Sequence, residues 1–194
     1  MKTITDTDSD FVCDITAPCF STLSQEEADL VKASKTQVLF RKGDNLTKQG
    51  AFASYILFVV NGYARQYIEG TSTKSFNVKI LKPGDFVGLS TVFEKNIFNS
   101  SSIAITECRV FLIEKDTIAK LIMQNGLFAY KIIKRHCEHN SDLLETLKTS
   151  VFKQMNGRLA QVLLYLNGFK GEFPEIFQHL TRKDIADFAG ISTE

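Results

Sequence analysis

The sequence is poor in the residues that mark several classes of protein. Its 194 residues include no tryptophan, three prolines and four cysteines. The cysteines are too few and too scattered for a disulfide framework, so reduced thiols are expected at Cys13, Cys19, Cys108 and Cys137. No apolar run is long enough to cross a bilayer, and the acidic, threonine-rich start from Met1 to Asp10 is not a signal peptide. These absences predict a globular protein of the cytoplasm.

An excess of charge is missing as well. The formal net charge is +1, and from residue 149 onward five basic side chains are matched by five acidic ones. The positive excess that phosphate-binding proteins usually carry is therefore absent, and charge alone does not indicate nucleic acid. An apolar content of 44% is that of an ordinary globular protein, and the length allows one large domain or two small ones.

The longest regular feature is the stretch from Leu127 to Phe152, which contains neither proline nor glycine. Its aliphatic residues recur at helical spacing, which predicts a helix about 39 Å long that begins after Asn125-Gly126. Such a helix exceeds the needs of a small domain and suggests a second copy as its partner. A heptad seam, apolar at both ends and polar in the middle, is predicted at Ala129, Ile133, His136, Asn140, Leu143 and Leu147. The alternative is an ordinary amphipathic helix packed on its own domain.

Short strands separated by turn signals are predicted before this helix. Apolar segments between Gln37 and Ile113 are interrupted by Lys42-Gly43-Asp44, Asn61-Gly62 and Lys82-Pro83-Gly84-Asp85. The pattern favours a barrel or sandwich over about residues 36–114. A capping box formed by Ser24 and Glu27 predicts a short helix ahead of it, and a further helix is expected from Lys115 to Gln124.

The end of the sequence predicts half of a helix-turn-helix. One amphipathic helix is expected from Gly157 to Leu166. Another begins at Thr181, where Asp184 completes a capping box, and stops at Gly190. The segment Ile191 to Glu194 then provides a turn and the cap of a following helix, whose body is absent.

Three segments together resemble the Crp/Fnr family of bacterial transcription regulators, with a Bacteroidetes-like character, over roughly residues 20–194. The first is Arg41 to Asp44 with the later Gln49-Gly50 and Asn61-Gly62, similar to the start of the family's β-roll. The second is Lys82 to Gly88, similar to the segment that opens its effector pocket. The third combines Asn156 to Ala160 with Leu180 to Ala186, similar to the start of its DNA-binding domain.

The resemblance implies an α+β fold and a domain order. We expect an N-terminal tail at 1–22, a cyclic-nucleotide-binding-like sensor β-roll at 23–124, a dimerisation helix at 125–152 and an incomplete winged helix-turn-helix at 153–194. It also implies a homodimer that binds a palindromic DNA site through the complete motif, with RNA polymerase as a further partner, and no membrane contact.

An effector pocket is implied at Gly84, Phe86, Gly88, Leu89, Ser90, Ser100, Ser101, Leu143 and Leu144. Members that bind cyclic AMP use a carboxylate for the ribose, an Arg-Ser pair for the phosphate and a hydroxyl pair for the adenine. These positions correspond here to Leu89, the arginine-free loop from Phe98 to Ser102, and Leu143-Leu144. A buried phosphate needs a cationic partner, so cyclic AMP is rejected. Either the serines bind a neutral or weakly polar ligand, or the three leucines fill the cavity.

Two cofactors used elsewhere in the family fit the sequence poorly. A four-iron cluster needs four thiolates, whereas the N-terminus supplies only Cys13 and Cys19, and Cys108 falls three residues before the expected position at Phe111. Cys13 and Cys19 as a thiol switch are a further hypothesis. Haem is a weaker alternative, with His136, Cys137 and His139 near the expected pocket. No cofactor is predicted.

By the same resemblance, the DNA-contacting residues are Thr181, Arg182, Ser192, Thr193 and Glu194. The base-reading residues that should follow are not in the sequence, so residues 1–194 are expected to lack sequence-specific DNA affinity. A ligand-binding and dimerisation module that acts through a protein partner is the alternative function. An enzyme of the double-stranded β-helix kind is set aside, because residues 36–114 contain no histidine for a metal site.

Overall fold

The computed structural model describes residues 1–4, 19–71 and 74–193. Within these ranges the strands form two antiparallel sheets, with the orders β1-β2-β9-β4-β7 and β3-β8-β5-β6. The strands are β1 (Lys2–Ile4), β2 (Lys35–Phe40), β3 (Asn45–Thr47), β4 (Tyr55–Asn61), β5 (Ala64–Glu69), β6 (Ser75–Leu81), β7 (Phe86–Val87), β8 (Ser101–Ala104) and β9 (Cys108–Glu114). The sandwich predicted for about residues 36–114 is therefore confirmed.

Phenylalanine rings build the core that joins this β-roll to the helices. Phe20 contacts Phe58 edge-on with ring centroids 5.5 Å apart, and it lies 5.8 Å from both Phe86 and Phe128. Phe58 stacks on Phe111 at 6.3 Å. Since each buried phenylalanine contributes roughly 2 kcal/mol through burial, this cluster fixes the first turn of the long helix against the roll.

The helices are α1 (Gln25–Ala33), α2 (Lys115–Gln124), α3 (Gly126–Phe152), α4 (Met155–Gly168), α5 (Ile176–His179) and α6 (Arg182–Ala189). Both predicted capping boxes are present, at Ser24 with Glu27 and at Thr181 with Asp184. Asn125 caps α3 by accepting a hydrogen bond from the Phe128 backbone N–H at 2.9 Å. Helix α4 begins before Gly157, which the prediction took as its start.

The C-terminal helices pack directly on the second sheet. One apolar cluster contains Ile80 and Ile105 from the roll together with side chains from residues 162–189, among them Leu166, Ile176 and Phe188. Asp184 on α6 lies 3.2 Å from Arg65 on β5, and its backbone carbonyl accepts a hydrogen bond from Asn77 on β6 at 2.9 Å. The C-terminal helices and the roll therefore share one core.

The described residues near the N-terminus, 1–4 and 19–22, belong to the folded domain, whereas an N-terminal tail was expected at 1–22. Lys2–Ile4 pairs with β2, because the free edge of β2 offers unpaired backbone groups to an extended segment. Cys19 and Phe20 are buried in the phenylalanine core. Cys13 lies outside the described residues.

Two glycines with the same backbone conformation allow the turns of the β-roll to be tested by substitution. Gly43 and Gly62 have φ of 89° and 85°, but a Cβ at Gly43 meets open space while a Cβ at Gly62 would lie 2.0 Å from the Glu107 carbonyl oxygen. We expect Gly43→Ala to lower the free energy of unfolding by about 1 kcal/mol from the left-handed strain alone. Gly62→Ala should cost at least ~3 kcal/mol, because the backbone must also move. Equal costs in urea denaturation would contradict this assignment of the turn.

Candidate functional site

A cavity of about 800 Å³ lies between the roll and the helices that follow it. Its walls come from β5 and β6, from residues 85–90 and 98–100, and from α3, α4 and α6. A cavity of this size accommodates a small organic molecule. The hypothesis that Leu89, Leu143 and Leu144 fill the pocket is therefore wrong.

Six of the nine predicted pocket residues line this cavity: Phe86, Gly88, Leu89, Ser90, Ser100 and Leu143. Gly84 does not line it, although its neighbour Asp85 does. Ser101 is fully buried, where its hydroxyl binds the Glu69 carboxylate and accepts from the Gln49 N–H, because adjacent residues of an extended chain point to opposite sides. Leu144 is 60% exposed, since successive helical residues lie about 100° apart and only Leu143 faces the cavity.

A polar group that the sequence did not indicate lies beside the serine loop. Gln66 on β5 donates a hydrogen bond from Nε2 to the Ser100 hydroxyl at 2.6 Å. Its Oε1 atom is buried and has no hydrogen-bond partner. A ligand hydroxyl or amide N–H at this position would satisfy that oxygen, as would water.

An ion pair joins α3 to the turn before β7. The Arg135 guanidinium lies 2.7 Å from the Asp85 carboxylate, and both groups are largely buried. The second oxygen of Asp85 accepts a hydrogen bond from the Lys82 backbone N–H at 3.0 Å. This pair positions the helix wall of the cavity, and it could not be foreseen from sequence because the partners are 50 residues apart.

Two basic side chains line the cavity in addition to the predicted residues. Lys79 on β6 and His139 on α3 both line it. Burial lowers the pKa of the Lys79 ammonium. Burial also lowers the pKa of His139 to about 4, and the charges of Lys79 and His136 act in the same direction. His139 is therefore neutral near pH 7.

The outward face of α3 carries a heptad stripe. Ile133, Leu144, Leu147 and Val151 are 56%, 60%, 59% and 63% exposed. We call the α3 stripe the set that follows alternating steps of three and four residues, Tyr130, Ile133, Cys137, Asn140, Leu144, Leu147 and Val151. It shares Ile133, Asn140 and Leu147 with the predicted seam. His136 and Leu143 line the cavity instead, and Ala129 is only half-exposed.

The predicted DNA-contacting residues lie at the exposed end of the C-terminal helices. Thr181 caps α6, with its Oγ1 accepting from the Asp184 N–H at 3.1 Å, and Arg182 is exposed in the first turn. Ser192 and Thr193 are exposed after the left-handed Gly190. Glu194 lies outside the described residues.

The thiols and imidazoles are distributed over several places. Cys19 and Cys108 are buried in two different core clusters, and burial raises the pKa of Cys108 to about 11. Cys137 belongs to the α3 stripe, whereas His136 and His139 line the cavity. Three or more His, Cys, Asp or Glu side chains able to hold a metal ion do not cluster anywhere in ranges 1–4, 19–71 and 74–193. Haem in the cavity stays the weaker alternative that the sequence analysis gave.

None of the helices in the part of the chain that the structure describes is both long enough and apolar enough to cross a membrane.

The low pKa of His139 has a consequence for stability. The unfolded chain takes up a proton at about pH 6.5, whereas the folded chain does so only at about pH 4, so stability falls as the pH falls through this window. We expect His139→Gln to remove about 1 kcal/mol of that loss, a value reduced from the full shift because the ring is partly solvated. Urea unfolding of both proteins at about pH 7 and about pH 4.5 measures the difference. An identical loss of stability in the wild type and in His139→Gln would show that the His139 ring is solvated and would contradict this prediction.

Comparison with known proteins supports the resemblance to the Crp/Fnr family both in sequence and in fold. Residues 37–125 match the family model of the cyclic nucleotide-binding domain. The chain is 26% identical over 157 residues to the cAMP-activated global transcriptional regulator CRP of Salmonella typhimurium, which covers 77% of this chain and 73% of that protein.

Two solved structures share the architecture. A Crp/Fnr-family protein from Eubacterium rectale superimposes with a TM-score of 0.75 at 17% identity, covering 91% of this chain and 81% of the other. The c-di-GMP-responsive global regulator CLP of Xanthomonas campestris gives 0.72 at 15% identity, covering 88% and 86%. At these identities the structures show the fold alone. The sequence matches and the shared fold together support a Crp/Fnr-family regulator, with the cyclic nucleotide-binding domain matched at residues 37–125 as its sensing part.

Proposed function

We propose that this protein is a homodimeric, DNA-binding transcription regulator of the cytoplasm that senses a signal other than cyclic AMP through the cavity. The observation that carries the proposal is the α3 stripe. It leaves a row of large apolar side chains exposed on the same helix whose other face lines the cavity. A second copy of α3 is the occupant that heptad spacing fits best.

The polar residue Asn140 in the α3 stripe supports a parallel pairing of two identical helices. Asn140 lies in the middle of the stripe, between Ile133 and Leu147, and is exposed. A single asparagine on such a seam fixes register and strand number at some cost in stability. In a two-fold dimer each Asn140 meets its own copy, which provides its amide with a partner.

The C-terminal helices are placed to respond to the cavity. Helices α4 and α6 contribute Val162, Tyr165 and Phe188 to its wall, and the Tyr165 hydroxyl accepts a hydrogen bond from the Ile80 backbone N–H on β6 at 2.8 Å. A ligand that contacts β6, α3 and α6 together interacts differently with two arrangements of these elements. Such a difference in free energy is what allosteric control of the DNA-binding helices requires.

The exclusion of cyclic AMP rests on the residues at the cavity wall. Leu89 presents a hydrocarbon where a ribose-binding carboxylate would lie, and the loop from Phe98 to Ser102 supplies no arginine. The Salmonella relative is cAMP-activated. That property is not transferred here, since a cyclic phosphate beside this loop would have no cationic partner in it.

Cys137 allows the dimer to be tested directly. In a parallel dimer the two Cys137 side chains face each other across the seam. In a Cys13→Ser background, we expect a short bis-maleimide to link two chains through Cys137. The reaction is quantified by denaturing electrophoresis.

The matched control moves the thiol one position around the helix. A Cys13→Ser, Cys137→Ser, Glu138→Cys chain carries its thiol about 100° away from Cys137 and should not cross-link. A single chain mass in native mass spectrometry at high concentration, or equal cross-linking of both variants, would refute the proposed pairing.

Arg182 is expected to act through the phosphate backbone. Arg182→Ala should weaken binding about tenfold on all sequences and reduce the slope of log affinity against log salt by about one, because one phosphate contact is lost. The measurement is a salt-titrated mobility shift on a palindrome selected from random DNA, using a chain that continues past residue 194 into the second helix of the motif. Specific binding without that helix would refute the prediction that residues 1–194 lack specific DNA affinity, and no specific binding with it would favour action through a protein partner.

A further inference from the structure

Among the described residues, two cations of the cavity wall, Lys79 and Arg158, have no ion pair, and Arg158 donates to the Gly190 carbonyl. Lys79 lines the wall, yet its ammonium makes no hydrogen bond and no ion pair with any other described residue. The charges that act on it are Asp85, Arg135 and Asp142. Asp85 is already engaged by Arg135 at 2.7 Å, so it does not serve as a partner for Lys79. The Lys79 side chain is half-buried, and an anionic group of a ligand in the cavity would give the ammonium a charged partner there.

Other polar atoms around the same cavity are also without partners. Among the described residues, the buried side-chain atoms lacking a hydrogen bond include Gln66 Oε1, His139 Nδ1, Thr149 Oγ1 and Arg158 Nε, and all four residues line the cavity. Native proteins leave few such groups unsatisfied. Their concentration around one space indicates that the occupant is polar at several points.

The rest of the wall is apolar. Phe86, Leu89, Phe98, Leu143, Phe169 and Phe188 contribute ring and aliphatic surface. Aromatic and aliphatic walls with a few convergent polar groups suit a molecule that has an apolar body and one charged end.

The acidic residues at the cavity do not reverse this charge preference. Glu138, Asp142 and Glu145 of α3 also line the cavity, but all three are exposed and water solvates them. Lys79 differs from them because it is half-buried and burial lowers the pKa of its ammonium. The acidic rim therefore disfavours ligands with several negative charges, while one anionic group gains a direct partner in the interior.

We propose that the effector is a small organic anion with an apolar body, whose anionic group binds the Lys79 ammonium between β6 and α3. This inference rests on the proposed sensing role of the cavity and specifies the chemistry of its ligand. The anion contact lies on strand β6, away from the serine loop from Phe98 to Ser102. It replaces the neutral or weakly polar ligand that the sequence suggested.

Two fluorescent probes with nearly the same body separate charge from shape. 8-Anilinonaphthalene-1-sulfonate carries one sulfonate, and N-phenyl-1-naphthylamine is its uncharged counterpart. We expect the full chain to bind the sulfonate about tenfold more tightly than the neutral probe, the usual effect of one charge-assisted contact. Fluorescence titration gives both dissociation constants.

Variants assign the difference to Lys79. Lys79→Met should lose the tenfold preference for the sulfonate and keep its affinity for the neutral probe. Lys79→Arg should retain most of the preference for the sulfonate. Lys74→Met, a matched loss of charge at an exposed position on the same hairpin, should change neither affinity. Leu143→Trp should reduce the binding of both probes, because it fills the cavity that both occupy.

The results that overturn the inference are distinct from those that overturn the dimer. Unchanged sulfonate affinity in Lys79→Met, an equal fall for both probes in that variant, or failure of the wild-type chain to bind the sulfonate would each refute it. Binding that survives Leu143→Trp would place the probes elsewhere and refute it too. Thermal unfolding checks the fold: Lys79→Met should melt no lower than the wild type, since burial disfavours the ammonium at this position. Cys137 cross-linking is independent of all these outcomes.

Discussion

Few contacts hold the longest helix of the molecule. Of the 27 residues of α3, only Phe128, Ile132 and Thr149 are buried. The first two enter the phenylalanine core, and one turn later the Arg135–Asp85 ion pair ties the helix to the roll. Loss of one partner from such a pair leaves an uncompensated charge, so the attachment is specific in its geometry. The cavity wall, the α3 stripe and the position of the C-terminal helices all depend on where this short attachment places the rest of the helix.

The two long faces of α3 have different partners. One face carries His136, His139 and Leu143 to the cavity, and the other carries the α3 stripe to solvent. A rigid helix cannot change one face without changing the other. A ligand that reorients the cavity side therefore alters the angle at which two copies of α3 would meet. The apolar cluster that contains Ile80 and Phe188 joins β6 to α6 on the other side of the cavity.

The local features of the fold were predictable from sequence, because their causes lie within a few residues. Ser24 with Glu27, Thr181 with Asp184, and Asn125 before α3 each satisfy backbone groups in their own turn. The helix predicted from Lys115 to Gln124 has those bounds in the structure.

The cavity was predictable only in part. Residues near Gly88 were placed by their resemblance to a known segment, but Lys79 reaches the cavity from a strand whose register shifts opposite Gln66 and Tyr67. Alternation along the sequence cannot reveal such a shift. The phase of the heptad seam on α3 stays a prediction, because His136 and Leu143 fit a seam by spacing and also line the cavity. Only the position of the roll decides which side they face.

Asp184 connects helix α6 to strands β5 and β6 of the sensor. Its carboxylate caps α6 through Thr181 and approaches Arg65 of the sensor, while its carbonyl accepts from Asn77. In the proposed regulator, a swing of α6 away from the hairpin would separate Arg65 from its counter-charge, so the pair stabilises α6 against the sensor.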